Sequence, residues 1–259
     1  MARVSISLWA ILLVGSAVAG WIDAVIGGGG LILIPLIMST MPHLAPAVAL
    51  ASNKLAAVCG TASAAVSLTR NVGVSKEQLI KYGPVAVLCA GLGAATASAI
   101  NSDYMRPIVI VLLLLSGTFV ALKPSFGKEI ETTRTPSRRG RIGAFLLVAL
   151  VAVYDGLFGP GTGMFLIMGF TALLSQSFLR SAALAKVVNT CTNIGGLVVF
   201  ALAGHIWWAL GFALAVANVI GAQLGARTVV KGGTKLIRLA LLTMVVVMSA
   251  YLAYQQWWV

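Results

Sequence analysis

The chain has 259 residues, of which 59% are hydrophobic and only 9% charged, with a formal net charge of +12. Soluble domains carry about 25% charged residues, so a soluble globular domain is excluded and a membrane protein is indicated. The positive charge would suggest nucleic acid in a soluble chain; here it lies in short loops between apolar segments, where it reads as membrane topology and attraction to anionic lipid head groups, with no nucleic-acid partner.

The first apolar segment covers 6–26. Its start resembles a secretion signal, with Arg3 ahead of the apolar run and Ala17-Val18-Ala19 like a cleavage site. Retention is expected, because the segment matches 142–155 further on and cleavage would remove one of two equivalent helices. The segment carries Asp23 near its end and breaks at Gly27-Gly28-Gly29-Gly30. The next apolar run, 31–41, is short: about 11 helical residues rise only about 16 Å, half of the roughly 30 Å bilayer core. It is expected to be a half-helix that folds back on its predecessor through the glycine turn. Such a turn must face protein or a wet cavity, since lipid offers no hydrogen bonds. Segments at 44–69, 78–100 and 104–122 complete a first unit.

The one sustained polar stretch, 123–141, reads as a cytoplasmic linker. Five further segments follow at 142–158, 163–174, 178–203, 207–229 and 235–256, the first two separated by Asp155-Gly156-Leu157-Phe158-Gly159-Pro160-Gly161-Thr162-Gly163. Asp23 and Asp155 are 132 residues apart, and the same ungapped offset links Gly27 to Gly159, Gly29 to Gly161, Lys54 to Lys186, Cys59 to Cys191, Gly93 to Gly225 and Arg106 to Arg238. The expected fold is therefore an all-α polytopic membrane protein of two repeats, 1–122 and 142–259, each of about five helical segments including a short broken one.

Basic loops set the orientation. The loop with Arg70, Lys76 and Lys81 is expected in the cytoplasm, as is the linker with Lys123, Lys128, Arg134, Arg138, Arg139 and Arg141. The loop at 101–103 then lies outside. In the second unit the basic loop, with Arg227, Lys231 and Lys235, follows the fourth segment rather than the third. Matching positions thus face opposite sides, an inverted-topology repeat of the kind found in secondary transporters. Both termini fall outside, against a weak opposite pull from Arg3.

Lys54 and Lys186 approach mid-depth from opposite sides, and an ammonium inside a membrane is a functional candidate by default. Each lysine could pair with the aspartate of its own half, Lys54 with Asp23 and Lys186 with Asp155, as a structural pin. The sharper reading brings them to an anionic substrate, joined by backbone donors at the half-helix starts (Gly28, Gly29 and Gly30; Gly161, Thr162 and Gly163), where the helix dipole is positive. Asn53 flanks Lys54, with Ser52 and Thr61 near it; Lys186, Asn189, Thr190 and Asn193 share one helix face, with Thr192 beside them. Helix–helix hydrogen bonding is the plainer account of those side chains. Asp23 and Asp155, pressed towards neutrality by burial and towards charge by a lysine, are candidate proton-coupling groups. Cys59, Cys89 and Cys191 lack metal-ligand spacing, so no metal or other cofactor is implied. The glycine runs lack the strand and lysine context of nucleotide loops, and no nucleophile–base–orienter set indicates an enzyme. Gly221-xxx-Gly225, matched by Cys89-xxx-Gly93, is a close-packing motif. His43 and His205 lie near membrane edges, and Trp207, Trp208, Trp257 and Trp258 fit an aromatic belt.

The Asp-x-x-x-Gly-Gly-Gly-Gly-Leu-x-x-x-Pro stretch at 23–35 resembles the glycine-rich signature of the TauE/SafE sulfite exporter family, and Asp155-Gly-x-x-Gly-Pro-Gly-Thr-Gly163 its second-half motif. The resemblance spans essentially the whole chain apart from the linker. It implies an inner-membrane permease for small sulfur-containing anions such as sulfite, sulfoacetate or related organosulfonates. By position it carries over to Asp23, Gly27 to Gly30 and Pro35, and to Asp155, Gly159, Pro160, Gly161 and Gly163. The roles of Lys54 and Lys186 rest on charge and depth alone. The leading expectation is an exporter working by alternating access, with protons as a candidate coupling ion; an anion channel and a carrier of small carboxylates are the alternatives. A homo-oligomer is left open.

Overall fold

The computed structural model describes residues 6–122, 137–230 and 254, and among these residues it is all helical. In chain order the helices are α1 (Ile6–Ile26), α2 (Gly30–Thr40), α3 (Pro46–Val72), α4 (Lys76–Ala99), α5 (Ser102–Leu122), α6 (Arg138–Leu157), α7 (Thr162–Leu174), α8 (Phe178–Leu202) and α9 (Trp208–Val230). The expected segments fall on these helices to within a few residues. The segment expected at 235–256, most of the linker, and Lys231, Lys235, Arg238, Trp257 and Trp258 lie outside the described residues. Helix α6 begins at Arg138, four residues before the expected start, because Ser137 Oγ accepts the Gly140 N–H at 3.0 Å and caps it. Ser75 and Gln78 form a reciprocal capping box on α4, and Ser177 caps α8.

Five of the described helices (α1, α4, α6, α8 and α9) are long and apolar enough to cross a membrane, whereas α2 and α7 are too short. The distribution of side chains suits lipid. Leu88 and Leu92 on α4, Leu146 and Leu150 on α6, and Val216, Ile220 and Leu224 on α9 are all exposed at one-turn spacing. On α4 the inward face is small, with Gly83, Ala86, Ala90, Gly93, Ala94 and Ala97 buried, as close packing between membrane helices requires.

Helices α1 and α2 form one antiparallel hairpin, with Gly15 against Leu36. Helices α6 and α7 form a second, with Gly140 and Gly143 against Leu173 and Gly169 against Leu147. Between them stand α3 and α8, which run antiparallel: Lys54 lies beside Gly196, and Thr61 meets Thr190 seven residues on from Lys54 and six back from Gly196. The hairpins therefore enter the bundle from opposite ends. Their neighbours are exchanged between halves. Helix α1 packs mainly on α9, and its counterpart α6 on α4; α3 packs on α9, and its counterpart α8 on α4.

Glycine makes these exchanged contacts close. Gly221 lies on the backbone of Ala17 and Trp21, and Gly225 on that of Trp21. In the other pair Gly93 lies on Val153 and Leu157, and Gly156 on Ala90 and Ala94. The close-packing motif expected at Gly221 and Gly225 thus joins α9 to α1, and Gly93 does the same for α4 and α6. Since backbone cannot yield as a side-chain tip does, Gly93→Val or Gly225→Val should lower the melting temperature in detergent, by an overpacking cost of about 1–3 kcal/mol or more. Leu92→Ala, which alters a lipid-facing side chain one position away, should leave it nearly unchanged.

Candidate functional site

Each hairpin tip is a glycine turn. In the first, Gly27 has φ +78°; in the second, Gly159 and Gly161 have φ +90° and +83°. These left-handed conformations admit glycine without strain. The tips touch back to back: Gly27 lies on Gly163 and Met164, and a Cβ built on Gly30 would stand 3.4 Å from Pro160 Cα. The starts of α2 and α7 are thereby brought together inside the protein. Each helix start carries about half a positive charge, and most of its first N–H groups already reach carbonyls of the turns: Leu31 to Gly28 and Ile32 to Gly29 at 3.0 Å, Thr162 to Gly159 at 3.2 Å and Met164 to Gly161 at 3.0 Å.

Lysines from α3 and α8 reach the two tips, each eight residues after its helix start, at Pro46 and at Phe178. Lys54 donates to Asp155 Oδ2 at 2.5 Å, and the two side chains are 1% and 3% exposed. Lys186 donates to Asp23 Oδ2 at 2.7 Å and to the Asp23 backbone carbonyl; these side chains are 0% and 15% exposed. Both pairs therefore exist, but each joins a lysine to the aspartate of the other half, not of its own half as the pinning alternative had it. The reason lies in the fold: the exchanged packing carries α6 to the Lys54 end of α3 and α1 to the Lys186 end of α8. Glycine leaves room for the charges. A Cβ on Gly159 would stand 2.9 Å from Asp155 Oδ1 and 3.1 Å from Lys54 Nζ. Asp23 also accepts the Gly29 N–H at 3.2 Å through Oδ1, which engages a further backbone donor of the first turn.

The remaining candidates divide. Asn53 is buried, makes no side-chain hydrogen bond among the described residues, and points its Nδ2 to within 3.6 Å of a Cβ built on Gly30. With Asp23 it brings a polar side chain to the start of α2. Gly28, Gly29, Gly161, Thr162 and Gly163 are buried at the tips, with Thr162 Oγ1 donating to the Gly159 carbonyl at 2.8 Å. Asn189 and Asn193 are occupied with one another along α8, Asn193 Nδ2 donating to Asn189 O at 2.8 Å. Besides Lys186, Thr190 of that stripe crosses to the other half, reaching Thr61 Oγ1 at 3.1 Å. The Ser52 and Ser181 hydroxyls are buried with no hydrogen-bond partner among the described residues.

Sequence reasoning missed Tyr154. Its hydroxyl donates to the Pro160 carbonyl at 2.7 Å and meets Ser116 Oγ of α5 at 2.8 Å, fixing the second turn from beneath. A tyrosine next to Asp155 is the available signal. Also missed was Asn218, whose Nδ2 donates to Ser16 O at 3.1 Å while Ser16 Oγ donates to Leu214 O at 2.8 Å. One asparagine in an apolar helix is the signal there.

This arrangement, two broken helical hairpins meeting tip to tip with crossed ion pairs, defines the chain as a polytopic α-helical membrane protein with a charged centre. The chain belongs to the family described as Sulfite exporter TauE/SafE, whose profile matches residues 12–252. It is 36% identical over 251 residues to an Escherichia coli K12 protein named "Probable membrane transporter protein YfcA", covering 97% of this chain and 91% of that one. It is 35% identical over 260 residues to a "Probable membrane transporter protein" of Haemophilus influenzae, covering 98% of each. A Bacillus subtilis protein named "Probable membrane transporter protein YtnM" is 28% identical over 225 residues, or 83% of this chain and 72% of that protein. No solved structure matches the chain significantly.

Crossed pairing makes a sharp energetic expectation. Lys54→Ala alone strands a buried carboxylate, which should cost about 3–5 kcal/mol of stability. Adding Asp155→Ala should recover much of that loss, while adding Asp23→Ala to Lys54→Ala should deepen it. Recovery with Asp23→Ala instead would place the partner in the same half. At Ser52, Ser52→Ala should leave the melting temperature equal or slightly higher, because an unpaired buried hydroxyl is a cost of about 1–3 kcal/mol; a fall would reveal a partner for it.

Proposed function

We propose that the chain is a secondary transporter of the cell inner membrane that exports a small sulfur-containing anion, such as sulfite, sulfoacetate or a related organosulfonate, by alternating access. The observation that carries this reading is the charge balance where the hairpin tips meet. Two lysines and two aspartates cancel there, and two helix starts of about half a positive charge each remain. The residue of positive potential, with Asn53 and the glycine backbone beside it, suits one small oxyanion. The family assignment supports the sulfur chemistry.

The crossed pairs suggest how protons would couple. Protonating Asp23 or Asp155 releases its lysine, and a released ammonium can then accept the substrate. One proton and one monoanion would move together without net charge. Two inverted-topology repeats, 1–122 and 142–259, would supply the two half-cycles, each hairpin with its lysine serving one side of the membrane. The cytoplasmic side is the one bearing Arg70, Lys76, Arg138, Arg139 and Arg141, on the positive-inside rule.

Counterflow of labelled sulfite or sulfoacetate in proteoliposomes tests the reading. A carrier accelerates uptake when unlabelled substrate is inside; large single-channel currents without that acceleration would show a channel, and preference for acetate-like carboxylates would move the substrate class. Asp23→Asn and Asp155→Asn should abolish uptake driven by a pH gradient while leaving some exchange at equal pH. An unchanged response to the gradient in both variants removes proton coupling and leaves the carrier.

A further inference from the structure

At the end of the bundle where α4, α6 and α8 begin and α7 finishes lies a cavity of about 290 Å³. Its walls carry Lys81 from α4, Arg141 from α6 and Arg180 from α8, with Gln78 and Gln176 adding amides. Glu77 is the one carboxylate among its lining residues. None of the three cations forms an ion pair with a described residue. Three cations against one carboxylate leave a twofold positive excess, and the starts of three helices converge on it. The volume lies at the lower edge of ligand-site sizes, which favours a small anion over a large molecule.

The opposite end of the bundle supplies a control. The loop between α2 and α3 corresponds, at the offset of 132, to the loop between α7 and α8, and it bounds a second cavity of about 390 Å³. There Arg106 donates to the Pro42 carbonyl at 2.7 Å, and Asp103 lines the same space. One engaged cation and one carboxylate leave no excess. At the same offset Lys81, Arg141 and Arg180 correspond to Ala213, Trp9 and Val48, so the cluster of three cations is not a by-product of the repeat.

We infer that the basic cavity is a second oxyanion site, distinct from the hairpin tips, which takes a sulfur or phosphorus oxyanion through Arg141, Arg180 and Lys81. Guanidinium groups suit such oxygens because they can bind two at once. The occupant is either a free oxyanion or the phosphate of a lipid head group. It joins three elements, and so ties the base of the α6–α7 hairpin to α4 and α8. Tyr82 in the cavity wall packs on Phe170 of α7 with ring centroids 5.8 Å apart, which gives that hairpin direct contact with the site. The site stands whether or not the chain transports, since binding is read without flux.

The test uses the full chain in phosphatidylcholine nanodiscs and in phosphatidylglycerol nanodiscs, titrated with sulfate. Wild type is compared with Arg141→Gln, Arg180→Gln and the double variant, all of which change exposed side chains and should melt as wild type does. In phosphatidylcholine, each single change should weaken one class of sulfate site by about tenfold, the loss of one charge-assisted contact of about 1.4 kcal/mol. A free oxyanion as occupant predicts no lipid retained through these arginines, with any weaker sulfate binding in phosphatidylglycerol shared by wild type and the double variant, because an anionic surface repels sulfate from every site. A lipid phosphate as occupant predicts weaker sulfate binding in phosphatidylglycerol, and phosphatidylglycerol retained in native mass spectra of wild type but lost from the double variant. Sulfate affinity and lipid retention both unchanged in the double variant would overturn the site. Asn53→Ala serves as the central-site control: it should spare this class of binding, and loss of sulfate binding there alone would overturn it as well.

Discussion

Everything at the centre of this fold depends on keeping two ammonium groups inside a membrane. An isolated charge there is expensive by any estimate, and a buried ion pair repays its desolvation only with good geometry and further hydrogen bonds. The chain meets that condition twice, with Lys54 on Asp155 and Lys186 on Asp23. Because each pair crosses between halves, neither half can satisfy its own lysine. The crossed pairs, the exchanged packing of α1 on α9 and α6 on α4, and the back-to-back contact of Gly27 with Gly163 are three aspects of one arrangement.

The two pairs are not equivalent. Asp155 is 3% exposed and meets Lys54 through Oδ2, whereas Asp23 is 15% exposed and shares itself between Lys186 and the Gly29 N–H. The difference follows from the turns. Four consecutive glycines let the first turn curl back until the Gly29 N–H meets the carboxylate. Gly161, at the corresponding place, is left-handed with φ +83° where Gly29 is helical with φ −57°, and the second turn is held instead by Tyr154 on the Pro160 carbonyl. One tip is thus fixed through its carboxylate and the other through a neighbouring phenol.

The helices were legible in the sequence because an apolar run bounded by glycine, proline or charge has little freedom in what it can form. The extent of α1, the shortness of α2 and α7, and the arrival of both lysines well inside their helices could all be read from spacing. The partners could not. Spacing along a helix gives depth, while the neighbour at that depth depends on how helices are arranged about one another, and the exchange of α1 and α6 between halves leaves no local trace. Asn189 and Asn193 show the same limit: helical spacing put them on the face of Lys186, but four residues is also the distance at which one asparagine serves the other. Tyr154 was hidden for a different reason. Its role is to hold backbone, and nothing in residue type separates that from ordinary packing until the Pro160 carbonyl is seen beneath it.

The repeat also departs from symmetry in what holds its two sides. On one side α9 is tied to α1 and α3 by polar side chains: Asn218 to Ser16, Trp21 Nε1 to Thr228 Oγ1 at 3.2 Å, and Gln223 Nε2 to the Ser63 carbonyl at 3.1 Å. At the offset of 132, Asn218 corresponds to Ala86 and Gln223 to Gly91. On that other side α4 meets α6 and α8 through glycine on backbone, with Gly195 on Val87 and Gly156 on Ala90. A hydrogen bond in hydrocarbon resists sliding because a separated donor finds no water to replace its partner. A glycine groove resists collision but offers no directional bond to break. The contacts of α4 with α6 and α8 are therefore held by shape, and those of α9 with α1 and α3 by shape and hydrogen bonds together.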